Sequence, residues 1–200
     1  MRIAVIAGLQ HSGKTTLAKS VCNGRDITYI ANNPHSEEMM KDCVKIVDHY
    51  PYKSPCARVR QFSYRVELHE NDDVSMIVSE PPGSCVEQSS PMLNPIYATQ
   101  RDRFSIAPLI TVLDGRIPAN RAISNRSTEG LRIFRMIEES DVLALTFSDF
   151  LSDGDRRSAE QCIREINDTC EIVFSSPKEG YGRIAEILFG DSSYARPLYY

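Results

Sequence analysis

The chain has 200 residues, 42% hydrophobic and 25% charged, an ordinary globular composition that excludes a disordered chain and suffices for one packed domain. Lys and Arg number 23 against 27 Asp and Glu, a net charge of −4, which argues against a general nucleic-acid binder. No run of eighteen apolar residues occurs, so no membrane span is expected. Six cysteines, at 22, 43, 56, 85, 162 and 170, contain no Cys-x-x-Cys pair and point to reduced thiols in a cytoplasmic protein.

The first apolar run, 3–7, is too short for a secretory signal and leads into Gly-Lys-Thr-Thr where a cleavage site would stand. It reads as a first strand. Directly after it, Gly8-Leu9-Gln10-His11-Ser12-Gly13-Lys14-Thr15 fits Gly-x-x-x-x-Gly-Lys-Ser/Thr without a gap. The glycines let the backbone curl so that successive N–H groups face phosphate oxygens. Lys14 supplies a point charge to the β- and γ-phosphates, and the Thr15 hydroxyl is a Mg²⁺ ligand. A helix over 14–22 adds its positive dipole end. The expected nucleotide contacts here are Gly8, Gln10, His11, Ser12, Gly13, Lys14, Thr15 and Thr16, with His11 pointing outward or flanking phosphate.

A second strand is expected over 27–30, followed by Asn32-Asn33-Pro34 and a helix over 36–47. Ser36 is its expected cap, and Met39, Met40, Cys43, Val44 and Val47 lie at helical spacing. Residues 58–69 fit either period; helix is preferred because a crossover must precede the strand at 74–78. That strand ends in Ser79-Glu80-Pro81-Pro82-Gly83. An acidic residue at the carboxyl end of a buried strand, beside a phosphate loop, binds Mg²⁺ through water or orients a nucleophile, and Gly83 offers backbone to a γ-phosphate.

The stretch 80–108 is rich in Pro and Ser and reads as irregular, with a short helix near 96–101. Strands at 109–113, 142–145 and 172–174 then alternate with helices at 128–139, 155–166 and 181–188. Most of the strand runs do not alternate in polarity, as strands buried on both faces should not. The expected fold is α/β: a P-loop NTPase with a doubly wound, mostly parallel sheet and helices on both faces. Residues 1–189 form the nucleotide-binding domain, and 190–200 an aromatic tail, frayed or locally docked.

Gly-Lys-Thr-Thr-Leu, a strand ending in Glu-Pro-Pro-Gly, then Thr111-Val112-Leu113-Asp114-Gly115, Thr146-Phe147-Ser148-Asp149 and Ser176-Pro177-Lys178-Glu179-Gly180 follow one another in an order that resembles the CobW/HypB/UreG family of P-loop GTPases. The resemblance runs over roughly residues 1–189. It implies a slow GTPase of the metallochaperone type, a homodimer, and a client metalloenzyme or cofactor-assembly protein. Lys14, Thr15 and Glu80 would be catalytic, with Mg²⁺ at Thr15 and Glu80. The family's guanine-reading Asn-Lys-x-Asp is replaced here by Thr146-Phe147-Ser148-Asp149. Asp149 retains the carboxylate for a guanine edge, Phe147 offers a ring to a base, and Ser176 and Lys178 fit the later base loop. GTP or ATP thus both stay open. The family also carries metal-binding cysteines, and Cys56 and Cys85 are the candidates for Zn²⁺ or Ni²⁺, completed across a dimer axis.

Cys22, Cys43, Cys162 and Cys170 read as core. His49 is the histidine nearest Cys56 in sequence; His35 and His69 read as solvated, as do Arg116, Arg121 and Arg126. Glu37, Glu38 and Asp42 read as helix-terminal acids, with a nucleotide-sensing role as the alternative. Two other function classes remain: a P-loop small-molecule kinase, with Arg116–Arg126 or Arg156-Arg157 as its lid, and a non-hydrolysing nucleotide-regulated scaffold.

Overall fold

The computed structural model describes residues 1–50, 59–83, 89–120, 123 and 127–194. In chain order it runs β1 (Arg2–Gly8), α1 (Lys14–Cys22), β2 (Arg25–Ala31), α2 (Pro34–Met40), β3 (Val44–His49), α3 (Val59–Leu68), β4 (Met76–Ser79), α4 (Asn94–Thr99), β5 (Ser105–Ile106), β6 (Ile110–Asp114), α5 (Arg116–Ala119), α6 (Thr128–Glu139), β7 (Val142–Thr146), α7 (Asp153–Arg164), β8 (Glu171–Phe174) and α8 (Gly182–Phe189). The strands lie in the order β3-β2-β4-β1-β6-β7-β8, and β5 pairs with the start of β1. Every strand pair in this sheet is parallel.

The apolar strands segregate their side chains by parity. Ala4, Ile6, Ile27, Tyr29, Val78, Val112 and Ala144 pack with α1 and α8 on one face. On the other, Ile3, Val5 and Ile77 meet α3 and α4, while Leu143 and Leu145 meet α6 and α7. Both faces are thus covered, as a parallel sheet requires. The chain leaves β1, builds outward through β2 and β3, returns to β4 and crosses to β6. The carboxyl end of β1 is therefore the point where the winding reverses, which is where such folds bind ligands.

Local sequence placed most elements, with four corrections. The expected helix over 36–47 stops at Met40, and Val44–His49 is an edge strand paired with β2. Val44, Ile46 and Val47 are β-branched, and the open edge of β2 offers backbone partners that helical spacing alone does not reveal. The α2 cap is Asn33, not Ser36: the Asn33 side chain accepts from the Ser36 N–H, and Ser36 returns the bond. Pro34 at the first helical position fixes that start. Helix α7 begins two residues early because Ser152 caps it in a reciprocal box with Asp155. Ser105–Ile106, in the stretch read as irregular, extends the sheet as β5.

His69 is a further correction. It is largely buried, with Nε2 2.9 Å from Asp48 and Nδ1 2.7 Å from Asp72. Arg65 also pairs with Asp48, and Thr28 donates to Asp72 at 3.0 Å. The expected core cysteines 22, 43, 162 and 170 are buried free thiols, and burial pushes Cys22 up to about 12. Of the tail, Tyr194 packs beneath α3 and α4 and its N–H bonds Ile106; residues 195–200 lie outside the described part.

Candidate functional site

The phosphate loop joins β1 to α1. Gly13 is the helix N-cap, at φ 87°, and supplies no capping side chain. A left-handed backbone of this kind suits glycine. The first-turn N–H groups of α1 therefore face outward without an intrahelical acceptor, the arrangement that binds anions. His11 also takes a left-handed conformation, φ 61°, which costs a residue with a Cβ on the order of 1–2 kcal/mol. Its side chain is exposed.

Lys14 is only 7% exposed. Its ammonium donates to the Leu9 carbonyl at 2.7 Å, which holds it over the loop. Burial pulls its pKa below the ordinary lysine value, and the Glu80 charge opposes that shift. Glu80, 3% exposed at the end of β4, accepts from the Thr15 hydroxyl at 3.0 and 2.9 Å through its two oxygens. Tyr29 of β2 donates to Oε2 at 2.5 Å. Thr15 and Glu80, 65 residues apart in sequence, thus meet beneath the loop; sequence reasoning named both but missed Tyr29, which reads as one more strand-forming residue.

Gly83 packs directly on the loop. A Cβ there would stand 2.4 Å from the Gln10 nitrogen and 2.8 Å from the Leu9 carbonyl carbon, so only glycine lets the Pro-Pro-Gly turn approach so closely. A cavity of about 710 Å³ opens on the α1 side, lined by Lys14, Thr15, Thr16, Asn32, Glu80 and Phe147 among others. A second, of about 580 Å³, lies across the loop between Ser12, Asp114, Arg116 and the first turn of α6. Gln10, His11 and Gly83 wall both.

Among the expected base-site residues, Thr146 is buried and its hydroxyl contacts the Ser12 carbonyl at 2.8 Å and the Leu113 carbonyl at 3.2 Å. Ser176 is buried and its Oγ accepts from the Glu179 N–H at 3.1 Å. Asp149 and Lys178 pair at 3.2 Å, side by side at the ends of β7 and β8. Phe147, left-handed at φ 56°, lines the larger cavity. Arg116 lies over its ring, 4.7 Å from the centroid, and chelates Asp114. Arg116 is thus paired while its side chain stays about half exposed, at 51%. Arg121 and Arg126 lie outside the described residues.

Cys56 and Cys85 also lie outside the described residues. Among those that are described, no group of three or more His, Cys, Asp or Glu could hold a metal ion. His49 instead pairs with Glu37, Nδ1 to Oε2 at 2.6 Å, while His35 is exposed at the rim of the larger cavity. No helix among the described residues is long and apolar enough to cross a membrane.

The family model for the CobW/HypB/UreG nucleotide-binding domain matches residues 2–174. Comparison with curated proteins finds no match. Among solved structures, the hydrogenase maturation factor HypB from Archaeoglobus fulgidus is 13% identical, with a TM-score of 0.66, 94% of this chain and 88% of that one covered. HypB from Helicobacter pylori, in complex with nickel, is 11% identical with a TM-score of 0.61, covering 93% of this chain and 84% of that one. The zinc-bound YjiA GTPase from E. coli is 14% identical with a TM-score of 0.58, and 100% of this chain spans 67% of it. At these identities the likeness shows the fold.

Proposed function

Because the chain belongs to the CobW/HypB/UreG family, we propose that it binds a Mg²⁺–nucleoside triphosphate over Gly8–Thr16 and hydrolyses it slowly, as a cytoplasmic GTPase of the metallochaperone type. The observation that carries this reading is the bond of Thr15 to the buried Glu80 beside Lys14, under an uncapped helix N-terminus. A hydroxyl and a carboxylate are the hard oxygen donors that suit Mg²⁺. When bound, Mg²⁺ neutralises charge on the β- and γ-phosphates. The chain's own part is positional and electrostatic. Lys14 and the first-turn N–H groups take up charge on the phosphate oxygens as water attacks the γ-phosphorus and the bond to the bridging oxygen breaks, releasing diphosphate nucleotide and inorganic phosphate. Gly83 keeps the Glu80 turn against the loop, so a γ-phosphate is felt by both.

The larger cavity and Phe147 support a purine stacked beside the loop, with Asp149, Ser176 and Lys178 toward its edge. Metal delivery or partner-enzyme maturation follows from the family, with Cys56 and Cys85 as the proposed thiolate ligands of cargo Zn²⁺ or Ni²⁺ and a second copy of the chain as dimer partner. GTP and ATP titrated in parallel with Mg²⁺, with and without Zn²⁺ or Ni²⁺, test the reading. Lys14→Ala is expected to abolish tight triphosphate binding, and unchanged affinity by calorimetry would refute it. Metal content indifferent to Cys56→Ser and Cys85→Ser would refute the cargo site. The second cavity, walled by the same Gln10 and His11, favours one alternative, transfer of the γ-phosphoryl to a small acceptor. Phosphate recovered on an added metabolite rather than as inorganic phosphate would select it.

A further inference from the structure

We infer that Tyr29 is a positioning residue that fixes Glu80 for the metal end of the triphosphate; this rests on the Mg²⁺–nucleotide reading of the site above.

Tyr29 is fully buried within β2, on the face packed by α1. In the sheet it stands opposite Val78 of β4, two residues before Glu80, and its ring spans that distance so that the phenol meets Oε2 at 2.5 Å. Ionised carboxylates only accept, so the phenol donates; the length is that of a charge-assisted O–H bond.

The need for such a tether follows from the residue at the strand end. A glutamate has one more rotatable bond than an aspartate, so the backbone alone fixes its carboxylate less well. Thr15 cannot supply the tether by itself. Its single hydroxyl proton sits between the two Glu80 oxygens, at 3.0 and 2.9 Å, and its oxygen is the group expected to face the metal. Tyr29 donates to Oε2 from within the core, so Oε2 is held by the phenol as well as by Thr15, while Oε1 is bonded by Thr15. The carboxylate, which lines the larger cavity, is thereby held by a second, buried donor in addition to Thr15. Pre-organisation of this kind lowers the cost of binding without adding a contact to the ligand.

The test is Tyr29→Phe, which keeps the ring and removes only the hydroxyl. Binding of a fluorescent GTP analogue is followed against Mg²⁺ concentration and again in EDTA. The Mg²⁺ half-saturation point is expected to rise about tenfold or more, while metal-free affinity changes by less than about threefold. In a Glu80→Gln background, Tyr29→Phe is expected to add no further loss, because the two side chains act as a unit. An unchanged Mg²⁺ midpoint, or equal losses with and without Mg²⁺, overturns the assignment and leaves the nucleotide site standing. If the parent protein binds no nucleotide with or without Mg²⁺, the nucleotide reading falls and Tyr29's role with it. Should Tyr29→Phe fold poorly, Tyr29→Met, which also lacks the hydroxyl and leaves Glu80 in place, is read in the same way, and an unaltered Mg²⁺ midpoint there would also overturn it.

Discussion

Thr146→Val separates two roles that one residue could play. From its place in the motif order, Thr146 is a candidate base contact. In the folded protein its buried hydroxyl lies 2.8 Å from the Ser12 carbonyl and 3.2 Å from the Leu113 carbonyl, so its one proton ties the phosphate loop to the end of β6. Valine keeps the shape and removes the donor. A lost buried hydrogen bond is worth about 1 kcal/mol net, and leaving the Ser12 carbonyl unpartnered adds about 1 kcal/mol more. Thermal unfolding should therefore shift down by roughly 4–8 °C for a domain of this size. If the nucleotide must restore the loaded loop, triphosphate affinity falls by up to about 30-fold, at ~1.4 kcal/mol per tenfold. The loop serves any triphosphate, so GTP and ATP should weaken together, with their ratio held within about twofold. Scanning calorimetry and parallel titration read both quantities. A ratio that moves tenfold or more while the melting temperature stays put would refute the bracing role.

Gly83→Ala should weaken triphosphate binding by about tenfold or more, because the new Cβ would lie 2.4 Å from the Gln10 nitrogen and the loop must shift to admit it; unchanged affinity would show that the turn relaxes freely. Asp48 gives a pH prediction. Burial alone would raise its pKa, but the hydrogen bonds and charges of Arg65 and His69 outweigh that and hold it below the ordinary aspartate value. A depressed folded value means the stabilisation is present above the unfolded value of about 3.9 and is lost as pH falls through the folded one. Asp48→Asn should thus cost about 1–3 kcal/mol at neutral pH and flatten the acid limb of the stability curve below about pH 4. Denaturant melts across pH test it, and parallel acid limbs in both proteins would rule Asp48 out as the titrating group.

Contiguous residues with a forced backbone path were legible before any fold was known. Gly8–Thr15 can do little but curl around an anion, Glu80 at a strand end followed by Pro-Pro-Gly announces its own turn, and helices Lys14–Cys22 and Thr128–Glu139 end where their periodicity ends. Most of the six apolar runs read as strands could be taken for buried on both faces from their composition alone, and the parallel, doubly covered sheet followed. Motif order over nearly the whole chain carried the family.

What the sequence did not contain is which strands become neighbours. Val44–His49 carries helical spacing on paper, and only the open edge of β2 turns it into a strand. The same pairing brings Asp48 under Arg65 and His69, which read as a surface histidine in isolation. Tyr29 is one aromatic in an aliphatic strand until β2 is placed beside β4 and its phenol reaches Glu80. Thr146 and Arg116 likewise acquire their partners, Ser12 and Phe147, only when β1, β6 and β7 align. Local chemistry is set by covalent spacing, so the chain alone specifies the phosphate loop. The partners that hold it in place lie up to 134 residues away, and their choice is made by packing and strand order.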